Sequence, residues 1–135
     1  MIEFAIKDVD SSTVLQFEGE VPCGLTGRDG CFFVIRLVSI PLSAAVRVYD
    51  IQLGQWADFF ADLAVNWQGW SGEKDHESLE GHLRLEATSD ASGHIRLFIR
   101  LRDVEAGSNW LVETSMALEA GQLKGLADRA RAYFG

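Results

Sequence analysis

One continuous block, residues 59–103, constrains the fold more than any other part of the chain. It holds most of an aromatic-faced helix, a Trp-rich corner and two alternating segments joined by the turn sequence SDAS. Trp56, Phe59, Phe60, Leu63, Ala64 and Trp67 recur at helical spacing and form a single apolar stripe over 54–67. Asp58 and Asp62 fall on the opposite side. Such a stripe is read as core packing, with Trp67 inside and Trp70 divided evenly between core and surface.

The two alternating segments predict a β-hairpin. Leu83, Leu85 and Ala87 alternate with polar residues over 82–88, and Ile95, Leu97, Ile99 and Leu101 do so over 93–102. Pairing Ala87 with Ile95 puts both apolar sets on one face. That register also sets Glu86 opposite Arg96, Arg84 opposite Phe98 and Glu80 opposite Arg102.

The same reasoning extends to the rest of the chain. Ile2, Phe4 and Ile6 alternate in one strand, and Leu15 and Phe17 in another over 13–20. Residues 31–40, CFFVIRLVSI, are apolar on both faces apart from Arg36, which predicts a strand covered on both sides. Pro41 follows, and 42–50 resumes either as a separate strand or as one strand bent at the proline. Trp110, Val112, Thr114, Met116 and Leu118 share a face of the last strand, 109–119. Leu123, Leu126, Ala127, Ala130 and Phe134 form the stripe of a second helix over 120–134. Strands, helix, strands, helix is an α+β order: a largely antiparallel sheet of about seven strands packed with two helices. At 135 residues the chain is expected to form a single domain, 1–135.

Composition narrows the function. The net charge is −8, which repels phosphate backbones and anionic membranes, so neither nucleic acid nor membrane is expected as a partner. No apolar run approaches the ~20 residues of a spanning helix, and MIEFAIKDVD is unlike a secretory signal. A cytoplasmic location is the expectation. Cys23 and Cys31 flank a glycine-rich loop and in that compartment are expected to be reduced.

No residue set predicts catalysis, and no metal or cofactor is expected. His82 and His94 lie roughly 20 Å apart in the expected hairpin, too far to share an ion. Asp58 and Asp62 neighbour each other on a helix without a third ligand at a telling spacing, which reads as a solvated face. GLTGRDG, 24–30, lacks the Gly-Lys-Ser/Thr ending of a phosphate loop. Arg84, Arg96, Arg100 and Arg102 with Phe98 share a sheet face, but Glu80, Glu86 and Glu113 lie among them, so cross-strand ion pairs account for them. The corner remains as a candidate partner-binding surface: Trp70 with Glu73, Asp75 and Glu77 combines an aromatic anchor with acidic character.

Leu63, Trp67, the Gly69-Trp70 pair, SLEG at 78–81, Leu83, Leu85, Ala87-Thr88, Asp90, Gly93-His94 and LEAGQLKGL at 118–126 carry a resemblance. They resemble a family of small bacterial proteins known only as a domain of unknown function. The layout and hydrophobic pattern are also similar, more distantly, to immunity proteins of the WapI type. That resemblance implies a small, acidic, non-enzymatic protein that binds and blocks a cognate toxin, with a basic toxin domain as the expected partner. Two other readings stay open: an enzyme or small-ligand protein with a pocket between sheet and helices, and a homodimeric structural subunit.

Overall fold

The structure is a computed structural model and describes residues 2–19, 30–90, 92–105 and 107–135. The fold is α+β. Its first sheet is a meander of β1 (Ile2–Lys7), β2 (Val14–Glu18), β3 (Cys31–Ser39) and β4 (Leu42–Asp50). Helix α1 (Gly54–Val65) follows. The second sheet is another meander, β5 (Glu73–Glu77), β6 (Leu83–Ser89), β7 (His94–Asp103) and β8 (Trp110–Glu119). A single 3-10 turn, Ala120–Gln122, leads into α2 (Leu123–Phe134). Every pairing within the sheets is antiparallel.

Among the described residues there are eight strands in two sheets rather than seven in one. The additional strand is β5, whose sequence EKDHE has no apolar residue. Its side chains still alternate, with Lys74 and His76 half-buried and Glu73, Asp75 and Glu77 exposed. The strand exists because β6 offers it a ladder and α1 offers it contacts, not because of intrinsic propensity.

In the first sheet, β3 is central but covered on one face only. Cys31, Phe33, Ile35 and Leu37 are buried, while Phe32 is 42% exposed. Phe32 finds neighbours within the sheet instead: the Arg47 guanidinium sits 3.6 Å from its ring centre and the Tyr49 ring lies 5.1 Å away. Pro41 separates two strands, with the cis Ile40–Pro41 peptide at the tip between the paired Ser39 and Leu42. Cys31 is disulfide-bonded, which corrects the expectation of a reduced thiol. Cys23 and positions 24–29 of the glycine-rich segment lie outside the described residues.

The β6–β7 register differs from the expected one by two residues. Ala87 pairs with Leu97, Glu86 with Phe98, and Arg84 with Arg100. A shift of two leaves every side chain on its original face, so the apolar set still points inward. The turn decides the register. The Asp90 amide donates to the His94 carbonyl at 3.1 Å. One Asp90 carboxylate oxygen accepts the amides of Ser92 at 2.8 Å and His94 at 3.1 Å. Gly93 takes a left-handed conformation, φ 83°.

Those amides, Ser92 first and His94 second, pull the Asp90 carboxyl down to about 2. A depressed carboxylate contributes stability that is fully present above its unfolded pKa of about 3.9 and is lost as pH falls through about 2. Asp90→Ala is therefore expected to lower stability at neutral pH and to flatten its fall between roughly pH 4 and pH 2. Unfolding midpoints measured across that range check it; an unchanged acid limb would contradict this role.

Helix α1 ends two residues before its stripe does. Asn66 closes it, its side-chain amide donating to the Asp62 carbonyl at 2.9 Å and its backbone N–H reaching the same oxygen at 3.2 Å. Trp67 consequently leaves the stripe and is 54% exposed. Trp70 packs against the core instead, donating its indole N–H to the Ala87 carbonyl at 3.2 Å. The expected placement of Trp67 is thus reversed, because periodicity carries no information past a helix end.

One continuous core joins the inner faces of both sheets to the stripes of both helices. Polar links fasten the parts. The β1–β2 turn binds β8, with Val9 N–H on the Ala117 carbonyl at 3.0 Å and the Asp8 carboxylate on the Ala117 amide at 3.2 Å. Tyr133 of α2 donates its hydroxyl to the Glu18 carbonyl of β2 at 3.1 Å. Buried Asp50, at the end of β4, accepts from Trp56 Nε1 at 2.8 Å, Ile51 N–H at 2.9 Å and Leu79 N–H at 3.2 Å.

Candidate partner-binding face

Strand β5 places Glu73, Asp75 and Glu77 on one line, along the outer face of the second sheet and at its edge. Three rows cross the sheet from that edge: Glu73–Thr88–Arg96–Ala117, Asp75–Glu86–Phe98–Ser115 and Glu77–Arg84–Arg100–Glu113. Cross-strand ion pairs do engage the arginines, but between other residues than the expected register gave. Arg84 reaches Asp75 at 2.6 Å, Glu86 at 2.8 Å and Glu77 at 3.5 Å. Arg100 reaches Glu77 at 3.0 Å, and Arg96 donates to the Ser115 hydroxyl at 2.9 Å. Glu86 and Asp75 accept from the Arg84 guanidinium and hold its pKa above its ordinary value, so it stays charged.

Negative charge still exceeds positive on this edge. Ligand oxygens of Glu73, Asp75 and Glu86 lie within 4.8 Å of one another, a spacing that could suit a cation. The Arg84 guanidinium already bridges two of the three. Glu73 has no such partner among the described residues, and the neighbouring Glu86 carboxylate pushes its carboxyl above the ordinary value.

Trp70 does not join this row. Its ring turns toward the core and carries Lys74 Nζ at 5.8 Å from its centre. The exposed tryptophan at the corner is Trp67, which the helical stripe concealed. Sequence reasoning also missed the neighbouring groove of about 410 Å³ between α1 and β5, lined by Asp58, Phe59, Asp62, Lys74, Asp75 and His76 among others. Asp58 and Asp62 are not merely solvated. Asp62 pairs with Lys74 at 2.9 Å and Asp58 with Arg131 of α2 at 2.8 Å. His76 stands edge-on to Trp56, ring centres 4.4 Å apart, and burial lowers its pKa. Only a fold that brings α1 beside β5 brings these groups together.

The other two histidines lie elsewhere. His82 is buried in the β5–β6 turn, its Nε2 3.5 Å from a Glu105 oxygen; that proximity does not meet hydrogen-bond geometry, and neither ring nitrogen has a hydrogen-bond partner among the described residues. His94 is exposed at the opposite end of the hairpin, with Asp90 3.2 Å from Nδ1, and lines a second cavity of about 460 Å³ with Asp10, Arg96 and Glu119.

No curated protein and no solved structure matches the chain. A family model does, and it covers residues 6–135, so the likeness extends through the first sheet as well as the second. The chain belongs to DUF6228, a family of unknown function.

Proposed function

We propose that the protein is a non-enzymatic binding module that engages a basic partner protein through the acidic edge of its second sheet, in the manner of an immunity protein blocking a toxin domain. The observation that carries this reading is the row Glu73, Asp75 and Glu77, exposed on one strand at the sheet edge. A net charge of −8 adds long-range attraction for a basic partner and speeds encounter. The arginines on the same face support a protein rather than a nucleic acid partner, because Arg84 and Arg100 are already engaged by carboxylates. Toxin inhibition as the form of this binding rests on the layout resemblance to WapI-type immunity proteins. No helix among the described residues is long and apolar enough to cross a membrane. A cytoplasmic immunity role would make the disulfide at Cys31 an exception to the reduced thiols usual there.

The test is co-purification with the C-terminal domain of the protein encoded by the adjacent gene. A stoichiometric complex that protects host cells from that domain is the expected result, and neither complex nor protection would overturn the immunity reading. The combined variant Glu73→Gln, Asp75→Asn, Glu77→Gln should weaken the complex by about tenfold or more and flatten its salt dependence. Affinity unchanged by that triple substitution would remove this edge from the interface.

The groove beside α1 favours a second reading, a small cationic ligand held by Asp58, Asp62 and Asp75 with His76 at its side. A polyamine that raises the unfolding midpoint of the wild type but not of Asp62→Asn would support it.

A further inference from the structure

Resting on the protein-binding reading above, we propose that the open edge of β5 accepts an extended segment of the partner as a fifth strand of the second sheet, with cationic side chains at alternate positions opposite Glu73, Asp75 and Glu77.

The phase of the ladder supports it. The Ser78 amide donates to the Leu83 carbonyl at 2.8 Å, which makes Ser78 and Leu83 a hydrogen-bonded pair. In an antiparallel ladder such pairs recur at every second residue. His76 opposite Leu85 and Lys74 opposite Ala87 therefore direct their backbone groups to β6. Glu73, Asp75 and Glu77 direct their N–H and C=O groups away from β6, toward the side where the sheet order places no further strand among the described residues. The residues whose backbone groups face outward are the residues whose carboxylates are exposed. A strand hydrogen-bonded there sets its own residues directly opposite those three, side chains on the same face.

The two edges of this sheet are treated differently. On β8, the outward-facing amide and carbonyl of Ala117 are both occupied, by Asp8 and by Val9. On β5 the strand is braced through side chains on both faces, by Lys74 to Asp62 and the His76 ring on Trp56 within, and by Arg84 to Asp75 and Arg100 to Glu77 outside. That bracing orders the edge before any partner arrives and lowers the ordering cost of docking. Main-chain bonds then supply attachment, and side chains supply selection.

Charge selects the occupant. Four carboxylates, Glu73, Asp75, Glu77 and Glu86, surround two guanidinium groups, Arg84 and Arg100, on this part of the face. A second copy pairing antiparallel through β5 would set Asp75 against Asp75 and Glu73 against Glu77. Like charges directly opposite are destabilising, and charged edges guard against self-pairing. A lysine or arginine at each of those positions instead adds opposite-sign pairs. It would also relieve the repulsion that Glu86 exerts on Glu73.

The test uses synthetic nine-residue peptides with lysine at alternate positions and threonine or valine between. One version is N-methylated at the lysines, whose N–H groups face β5 in the docked register. A second is N-methylated at the intervening residues. Both keep the charge. Binding is read by titration, and backbone protection by hydrogen exchange at Glu73, Asp75 and Glu77. The expected result is slower exchange at those amides with the parent peptide, at least about tenfold weaker binding for the lysine-methylated version, and binding within about twofold of the parent for the other. Equal binding of both methylated versions without amide protection overturns strand addition while leaving an electrostatic protein-binding edge intact. No binding by any of the lysine peptides overturns both. Because the protein is unaltered throughout, no outcome is confused with misfolding.

Discussion

Replacing Asp50 with alanine is expected to lower the unfolding free energy by about 3–5 kcal/mol. The carboxylate is buried where β4, α1 and the β5–β6 turn meet, and it accepts hydrogen bonds from each neighbour: Ile51 N–H, Trp56 Nε1 and Leu79 N–H. A hydrogen bond to a charged group contributes about 1.5–3 kcal/mol, and a donor left buried without an acceptor costs about 1–3 kcal/mol. Three such donors share this residue, so the losses overlap rather than add in full. Asp50→Asn keeps one acceptor oxygen but turns an amide NH2 toward one of the donors, and should fall between wild type and alanine. Denaturant unfolding of the single variants, and of Trp56→Phe with and without Asp50→Ala, measures the coupling. A loss below about 1 kcal/mol for Asp50→Ala would mean that the linkage is not what joins these three elements.

Phe134→Ala should cost a comparable amount, about 3–5 kcal/mol, through packing alone. Phe134 lies at the end of α2 and is 5% exposed. Its ring centre is 5.6 Å from those of Phe17 and Phe33, 6.3 Å from Phe4 and 6.4 Å from Trp56. One side chain thus ties α2 to three strands of the first sheet and to α1. Leucine would restore most of the volume but not the edge-to-face geometry, and should recover more than half of the loss. Urea denaturation followed by far-UV and near-UV circular dichroism checks this; near-wild-type stability of the alanine variant would show that α2 is anchored elsewhere.

Much of the architecture was legible because apolar periodicity is local. The buried residues of β6 and β7, Leu83, Leu85, Ala87, Ile95, Leu97, Ile99 and Leu101, are those that alternate in the sequence. The stripe of α2 reads equally well. The hairpin register did not, because Asp90 sets the turn with its carboxylate, and a shift of two residues leaves the alternation unchanged. Strand β5 was missed for a related reason: with no apolar residue, EKDHE has no pattern that distinguishes it from a charged loop. The candidate acids Glu73, Asp75 and Glu77 stood in the sequence as an acidic corner; only the strand aligns them on one face. Trp67 was the clearest reversal, and Trp70, divided evenly in the sequence, packs on the core. The helix ends at Val65, and from there the chain path rather than the period decides which indole is covered.

The sequence by itself determined the α+β class, the inward faces of most strands, the stripe of α2, that of α1 as far as the helix runs, and an acidic character, since each depends on residue order over a few positions or on composition. Only the tertiary structure decided that the strands divide into two sheets, that Asp50 joins three elements, and that β5 lies at an edge with its carboxylates and outward backbone groups on the same residues. Those features depend on which distant segments become neighbours. That is chosen by the packing of a shared core, in which Phe4 and Phe134 meet although 130 positions separate them (134 − 4).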